Sequence, residues 1–190
     1  MSGCRESLCV QPVPGSETLS QMATATSTRD AFVALVEAHH GIVPKVTRAY
    51  CWSAADRDDL VQDVLAQAWR AYPSYDTARP FGTWLYRVAL NVAISWVRTH
   101  APRQRVTVPL DPDVHDAESA PLDPVAAERV RALTAAIRQL DPLDRALVLL
   151  YLDDHSHRDI AAVLGLSETN VATKIHRLKQ RLRQRLESFA

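Results

Sequence analysis

The sequence predicts an all-α protein of two small helical domains joined by a Pro/acid-rich linker, the second domain containing a helix-turn-helix. Three observations predict it. Apolar residues recur at helical spacing in every patterned stretch, and no segment alternates with the period of a strand. Between Ala101 and Pro124 the pattern stops, and prolines and acids take over. Near the C-terminus two short helical stretches are separated by a Gly-Leu-Ser turn.

Residues 1–28 are rich in Ser, Thr, Gln, Pro and Gly without a sustained apolar period, and are expected to be a disordered leader; Met22 is an alternative start. The first domain is expected over residues 29–100. It begins with Phe32, Leu35, Val36, Val43 and Val46 at helical spacing, with a break near Gly41 and Pro44. Ser53 and Asp56 read as a capping box. The helix that follows, to Tyr72, is expected to bury Leu60, Val61, Val64, Leu65, Ala68 and Trp69, leaving Asp59, Gln62, Asp63, Gln67 and Arg70 outside. After a loop over residues 73–80, Thr83 to Thr99 is helical with few polar positions. At 100° per residue, Arg87, Asn91, Ser95 and Arg98 fall on one narrow stripe, extended backward by Trp84.

The linker is placed at residues 101–124. Pro102, Pro109, Pro112, Pro121 and Pro124 stiffen it, and Asp111, Asp113, Asp116, Glu118 and Asp123 keep it solvated. The second domain, residues 125–190, opens with Val130, Leu133, Ile137 and Leu140 in register. Asp141, Pro142 and Asp144 then supply an N-cap, a first-turn proline and a first-turn acid for a helix that buries Leu143, Ala146, Leu147, Leu150 and Tyr151.

The helix-turn-helix lies at Ser156 to Gln184. Ser156 and Asp159 form a second capping box, Gly165 supplies a left-handed turn residue, and Ser167 caps the last helix. With Val171, Ile175, Leu178 and Leu182 facing inward, Thr169, Thr173, His176, Arg177 and Gln180 face out, flanked by Asn170 and Lys174. From His157 onward seven Lys/Arg stand against three acids, although basic and acidic residues cancel over the whole chain. A cationic helix with short polar side chains at its N-terminal end suits a major groove, where base edges are read while Arg and Lys hold phosphates.

Other classes fare worse. Cys4, Cys9 and Cys51 make neither a disulfide framework nor a zinc ribbon, and fit a reducing cytoplasm. No apolar run reaches the roughly 20 residues that span a bilayer. Asp153, Asp154, His155 and His157 sit at a cap, where a metal's ligands would splay, and His39 and His40 diverge. No phosphate loop or nucleophile motif supports an enzyme; no cofactor, metal or small-molecule substrate is expected.

Two longer segments carry a resemblance. Asp58-Asp59-Leu60-Val61-Gln62-Asp63-Val64 with Trp69, and Phe81-Gly82-Thr83-Trp84-Leu85-Tyr86-Arg87-Val88-Ala89 with Asn91, Ala93 and Ile94, resemble the polymerase-binding and promoter-melting segments of the sigma-70 superfamily. Leu140-Asp141-Pro142 onward, through Asp159 to Ser167, is similar to that family's fourth region. The short linker with no third region matches the small extracytoplasmic-function group.

The resemblance implies a cytoplasmic sigma factor whose partners are core RNA polymerase and promoter DNA, and it leaves room for an anti-sigma partner. Asp58, Asp59, Gln62 and Asp63 would dock on the clamp helices of the largest polymerase subunit. Tyr75, Trp84, Arg87, Asn91, Ser95 and Arg98, with Arg103 and Arg105 beyond, would meet the −10 element, an aromatic stacking on an unpaired base. Thr169, Asn170, Thr173, Lys174, His176 and Arg177 would meet the −35 element. Leu90, Ser95 and the run Asn170 to Lys174 depart from the family's frequent residues and bear on which promoter is read. The alternative is a helix-turn-helix regulator outside the polymerase, which would need neither the acidic face nor the Trp-Leu-Tyr-Arg helix.

Overall fold

A computed structural model describes residues 28–104 and 123–187, and among these every regular element is helical. The chain divides into two compact units, one ending at Ala38 and one beginning at His39. The first contributes helix α1, residues 28–38, with Phe32 buried. The second holds α2 (Ile42–Tyr50), α3 (Ala54–Ala71), a single 3-10 turn (Tyr72–Ser74), α4 (Phe81–Gln104), α5 (Pro124–Arg138), α6 (Pro142–Leu152), α7 (His157–Leu164) and α8 (Glu168–Glu187).

Local chemistry explains most of these boundaries. The expected break falls at residues 39–41, and Pro44 sits in the first turn of α2, where a missing N–H costs no intrahelical bond. Ser53 Oγ accepts from the Asp56 N–H at 3.0 Å and starts α3. Asp141 occupies the N-cap of α6 but its side chain makes no capping bond; Pro142 at the first helical position starts that helix. Helix α4 continues through Gln104, four residues into the expected linker, while residues 105–122 and the leader through residue 27 lie outside the described residues.

Packing follows the helical seams. α2 and α3 both lie on α4, and Val46, Leu60, Val64, Ala68, Leu85, Ala89 and Ala93 are completely buried. α8 packs on α5, α6 and α7, where Leu147, Leu150, Ile160 and Val171 are completely buried. Trp69 departs from its expected place: it is 42% exposed, because the buried seam of α3 is the i, i+4 row Leu60, Val64, Ala68 and the next position lies a quarter-turn outward. Cys51 is buried, and burial, then the Asp56 charge, push its thiol up to about 12 against the pull of Arg57 and Arg145, so it stays protonated.

The two helical groups of this second unit also meet each other, α4 against α6 and α7, and α2 against α6. At the centre is Arg145, 6% exposed on α6. Its guanidinium donates to the carbonyls of Ala49 (3.2 Å), Arg138 (2.6 Å) and Leu140 (3.2 Å), and lies 5.1 and 5.2 Å from the ring centres of Tyr50 and Trp52. It therefore satisfies carbonyls at the ends of both α2 and α5, where a cation is also favoured by the helix dipole. Tyr50 donates its hydroxyl to the Pro142 carbonyl at 2.6 Å. Toward the other side of the interface Lys45 and Tyr86 both donate to Asp153, and the His155 ring meets Tyr86 edge-on at 5.1 Å. Burial works against ionisation of Asp153, but the bonds from Lys45 and Tyr86 and the charges of Lys45 and His155 outweigh it and hold the carboxyl below its ordinary range.

Two expectations follow. Arg145→Ala leaves several helix-end carbonyls without a donor and should lower stability in urea unfolding by about 2–4 kcal/mol; a change under about 0.5 kcal/mol would show the plug to be dispensable. Because the Asp153 pKa is lowered on folding, its contribution is present above the unfolded value of about 3.9 and is lost as pH falls through the folded one. Stability should thus fall more steeply below about pH 4 in the wild type than in Asp153→Asn, and parallel acid profiles would remove Asp153 from this role.

Candidate nucleic-acid interface

The helix-turn-helix is assembled by short-range bonds. Ser156 Oγ accepts from the Asp159 N–H at 3.1 Å and donates to the Asp159 carboxylate at 2.5 Å, opening α7. Gly165 closes it at φ +68°, with its own N–H and that of Leu166 both turned back to the Ala161 carbonyl. Ser167 Oγ then accepts from the Asn170 N–H at 3.3 Å at the start of α8. Val171, Ile175, Leu178 and Leu182 are buried, as their spacing predicts, so the opposite face of α8 must point outward.

On that face Thr169, Asn170, Thr173, His176, Arg177 and Gln180 are exposed. Thr173 donates its hydroxyl to the Thr169 carbonyl at 2.9 Å, and Gln180 and His176 pair at 3.1 Å. Lys174 is only partly exposed: its ammonium lies 3.6 Å from Asp144, which also faces Arg181 at 3.7 Å. The helix therefore presents donors outward, while Lys174 and Arg181 are drawn toward Asp144 of α6 and Lys179 donates to the Tyr151 hydroxyl at 3.0 Å.

A second polar surface runs along α4. Arg87, Asn91, Ser95 and Arg98 are exposed, while Leu85, Tyr86, Ala89, Leu90, Ala93 and Trp96 are buried on the other sides. Arg105 lies outside the described residues, and of Arg103 only the helical backbone is described. At the head of the stripe Trp84 is half-buried in an aromatic cluster with Tyr72, Tyr75 and Phe81. Tyr75 is also half-buried, and its hydroxyl donates to the Arg79 carbonyl at 2.6 Å. Asp76 accepts from the Ala78 N–H at 3.0 Å and faces Arg79 at 3.5 Å, so the loop is closed by its own residues.

The third surface is α3. Asp58, Asp59, Gln62 and Asp63 are exposed together, and no ion pair engages the three acids among the described residues. Sequence reasoning found these faces but missed Arg145 and the Lys45, Tyr86 and Asp153 group. An arginine within the apolar run of α6 was the available signal for the first. The second had none, because its members are distant in sequence. Among the described residues no group of three His, Cys, Asp or Glu could hold a metal ion, and no helix is long and apolar enough to cross a membrane.

These surfaces coincide with two recognised regions. Residues 35–103 match Sigma-70 region 2, and residues 130–182 match Sigma-70 region 4. The protein is thus of the sigma-factor class. CnrH of Cupriavidus metallidurans, an RNA polymerase sigma factor, is 32% identical over 173 residues, spanning 86% of this chain and 91% of CnrH. SigL of Mycobacterium tuberculosis, an extracytoplasmic-function sigma factor, is 33% identical over 160 residues, spanning 82% and 89%. The solved structure of CnrH with the cytosolic domain of CnrY superposes with a TM-score of 0.62 at 26% identity, covering 85% of this chain and 91% of that one. The chain belongs to the sigma-70 family, in its extracytoplasmic-function group: it binds core RNA polymerase and directs promoter-specific transcription initiation.

The turn at Gly165 offers a test of this local assembly. An added Cβ there meets nothing within 4 Å, so the whole cost of Gly165→Ala is backbone strain at positive φ. Stability should drop by about 1–2 kcal/mol, and by less for Gly165→Asn, in urea unfolding. Equal stability of all three proteins would mean that the turn does not need a left-handed residue.

Proposed function

We propose that the three exposed faces divide the work of initiation, with no catalytic chemistry in the chain and with the cytoplasm as its place of action. The reading assigns Asp58, Asp59, Gln62 and Asp63 on α3 to the clamp helices of the polymerase. It assigns Tyr75, Trp84, Arg87, Asn91, Ser95 and Arg98 to the −10 element, and Thr169, Asn170, Thr173, Lys174, His176 and Arg177 to the −35 element. Residues 29–100 and 125–190 act as the two DNA-reading modules, and residues 101–124 as their tether.

The observation that carries the reading is the exposed outer face of α8, rich in donors and free of acids behind its capped N-terminal turn. Asn170 can pair with a base edge, and Arg177 with a guanine or a phosphate. Lys174 must leave Asp144 to reach a phosphate, an exchange of one partly exposed ion pair for another that costs little. On α4, Arg87 and Arg98 supply charge along the stripe while Asn91 and Ser95 supply donors and acceptors between them. The alternative of a regulator outside the polymerase is not favoured, since region 2 is present as well as region 4. Because the sigma factor RpoE of Bartonella quintana, similar in fold, is solved in complex with the anti-sigma factor NepR, and CnrH in complex with the cytosolic domain of CnrY, we extend the proposal to an anti-sigma protein as a partner of this chain.

The test uses holoenzyme on a promoter fragment. Arg177→Ala should lower occupancy and flatten its salt dependence by about one unit of double-logarithmic slope if the residue touches a phosphate. An unmoved slope, together with unchanged sensitivity to −35 mutations, would remove Arg177 from the interface.

A further inference from the structure

Three cations of α8 stand on its flank and not on its outward face. At 100° per residue Lys174, Arg177 and Arg181 fall within about 60° of one another, an i, i+3, i+7 row between the buried seam of Val171 and Leu178 and the outward Thr169, Thr173 and Gln180. At 1.5 Å per residue the row is about 10 Å long. A line of positive charge beside the face that reads base edges is what the phosphates at the rim of a groove call for.

One anion of the protein itself stands opposite this row. Asp144, in the first turn of α6, has one carboxylate oxygen 3.6 Å from the Lys174 ammonium and the other 3.7 Å from the Arg181 guanidinium. Its side chain is 16% exposed against 52% for Arg181, so the carboxylate is the fixed member of the group. The backbone holds it there, because Pro142 starts the helix just before it and Arg145, the next residue, is bonded to three carbonyls. The cations sit on long stems that can swing outward. Arg177, the third of the row, is in no ion pair among the described residues. Two of the three cations therefore face an internal anion, and a negative charge remains close to where a polyanion must approach.

We propose that Asp144 is a built-in competitor of the DNA backbone for Lys174 and Arg181, and that it sets how tightly the helix-turn-helix holds DNA without taking part in the choice of sequence. The proposal rests on the assignment of α8 to the −35 element and adds the residue that governs the strength of that contact. Phosphates must displace the carboxylate before either cation serves them, and the carboxylate stays behind as a repulsive neighbour. Both effects fall on backbone contacts, which carry no sequence information, and leave the base-reading positions Thr169 and Thr173 untouched. Part of the affinity that the row could supply is thereby withheld at every promoter alike.

The experiment measures binding of holoenzyme to a promoter fragment, and to the same fragment with its −35 element scrambled, across a salt series, with urea unfolding of each variant as control. Asp144→Asn should raise affinity for both fragments by about fivefold, the ratio to which two partly exposed ion pairs of about 0.5 kcal/mol each convert, and should steepen the double-logarithmic salt slope by about one unit. Asp144→Glu, which keeps the charge, should stay within about twofold of the wild type. Lys174→Ala should cost about twofold or less in the wild type but about fivefold in the Asp144→Asn background, where the ammonium is free to serve DNA. A structural role alone would lower binding together with stability and would give no gain. Unchanged or weaker binding by Asp144→Asn, while Arg177→Ala still lowers occupancy, would overturn the proposal and leave the −35 assignment standing. A gain confined to the intact −35 element would overturn it as well, by making Asp144 part of sequence choice. If Asp144→Asn, Lys174→Ala and Arg177→Ala all leave binding and its salt slope unmoved, α8 does not meet the DNA and the −35 assignment falls with the proposal.

Discussion

A guanidinium with no carboxylate beside it, buried among backbone carbonyls, is the point on which the second unit turns. Arg145 bonds to carbonyls at the end of α2 and at the end of α5, from a position on α6. Burial draws its pKa down, the Tyr50 hydroxyl opposes this, and Arg138 adds to it, yet a guanidinium stays charged. Its Nε finds no hydrogen-bond partner, so even this arrangement is not fully satisfied. A buried charge of this kind tolerates few geometries. It therefore fixes where α2 and α5 end relative to α6, and through them where the α3 and α4 pair and the helix-turn-helix attach.

The way the two helical groups meet determines what is left outside. Their interface uses Tyr50, Tyr86, Arg145 and Asp153, all on inward or flanking positions. The acids of α3, the polar stripe of α4 and the outer face of α8 are not spent on it and remain exposed. Among the residues assigned to DNA, Lys174 is partly withdrawn by Asp144, which Arg181 also faces. Surfaces suited to a protein partner and to DNA are thus available without unfolding any helix, which is what a factor that joins two macromolecules requires.

Much of this was legible in the chain because it is written locally. Leu60, Val64 and Ala68 repeat every four residues, Ser53, Ser156 and Ser167 stand at caps, and Gly165 stands where φ is positive. The outer faces of α4 and α8 followed from the same periodicity. What was not legible is long-range. Tyr50 meets Pro142, and Arg145 meets Ala49, across some ninety residues, and no local period encodes such pairs. His155 and His157, with Asp153 and Asp154 nearby, are too splayed in sequence for a metal, but nothing local shows that the Asp153 carboxylate accepts from Lys45 and Tyr86. Trp69 reads from the sequence as part of the broad apolar face of α3, but the buried seam is narrower, the Leu60, Val64 and Ala68 row, and the indole lies outside it. Asp141 looked like a side-chain cap, whereas Pro142 sufficed to start its helix.

The central claim is that promoter choice belongs to the complex of this chain with the polymerase and not to the chain alone. Run-off transcription on a library of genomic promoter fragments, with core polymerase in the presence and absence of the purified chain, measures it directly. The account predicts start sites that appear only when both are present, preceded by common −35 and −10 sequences, and no comparable fragment selection by the chain without core. Tight, sequence-selective binding by the chain alone, with core polymerase initiating at the same sites whether or not it is added, would contradict it.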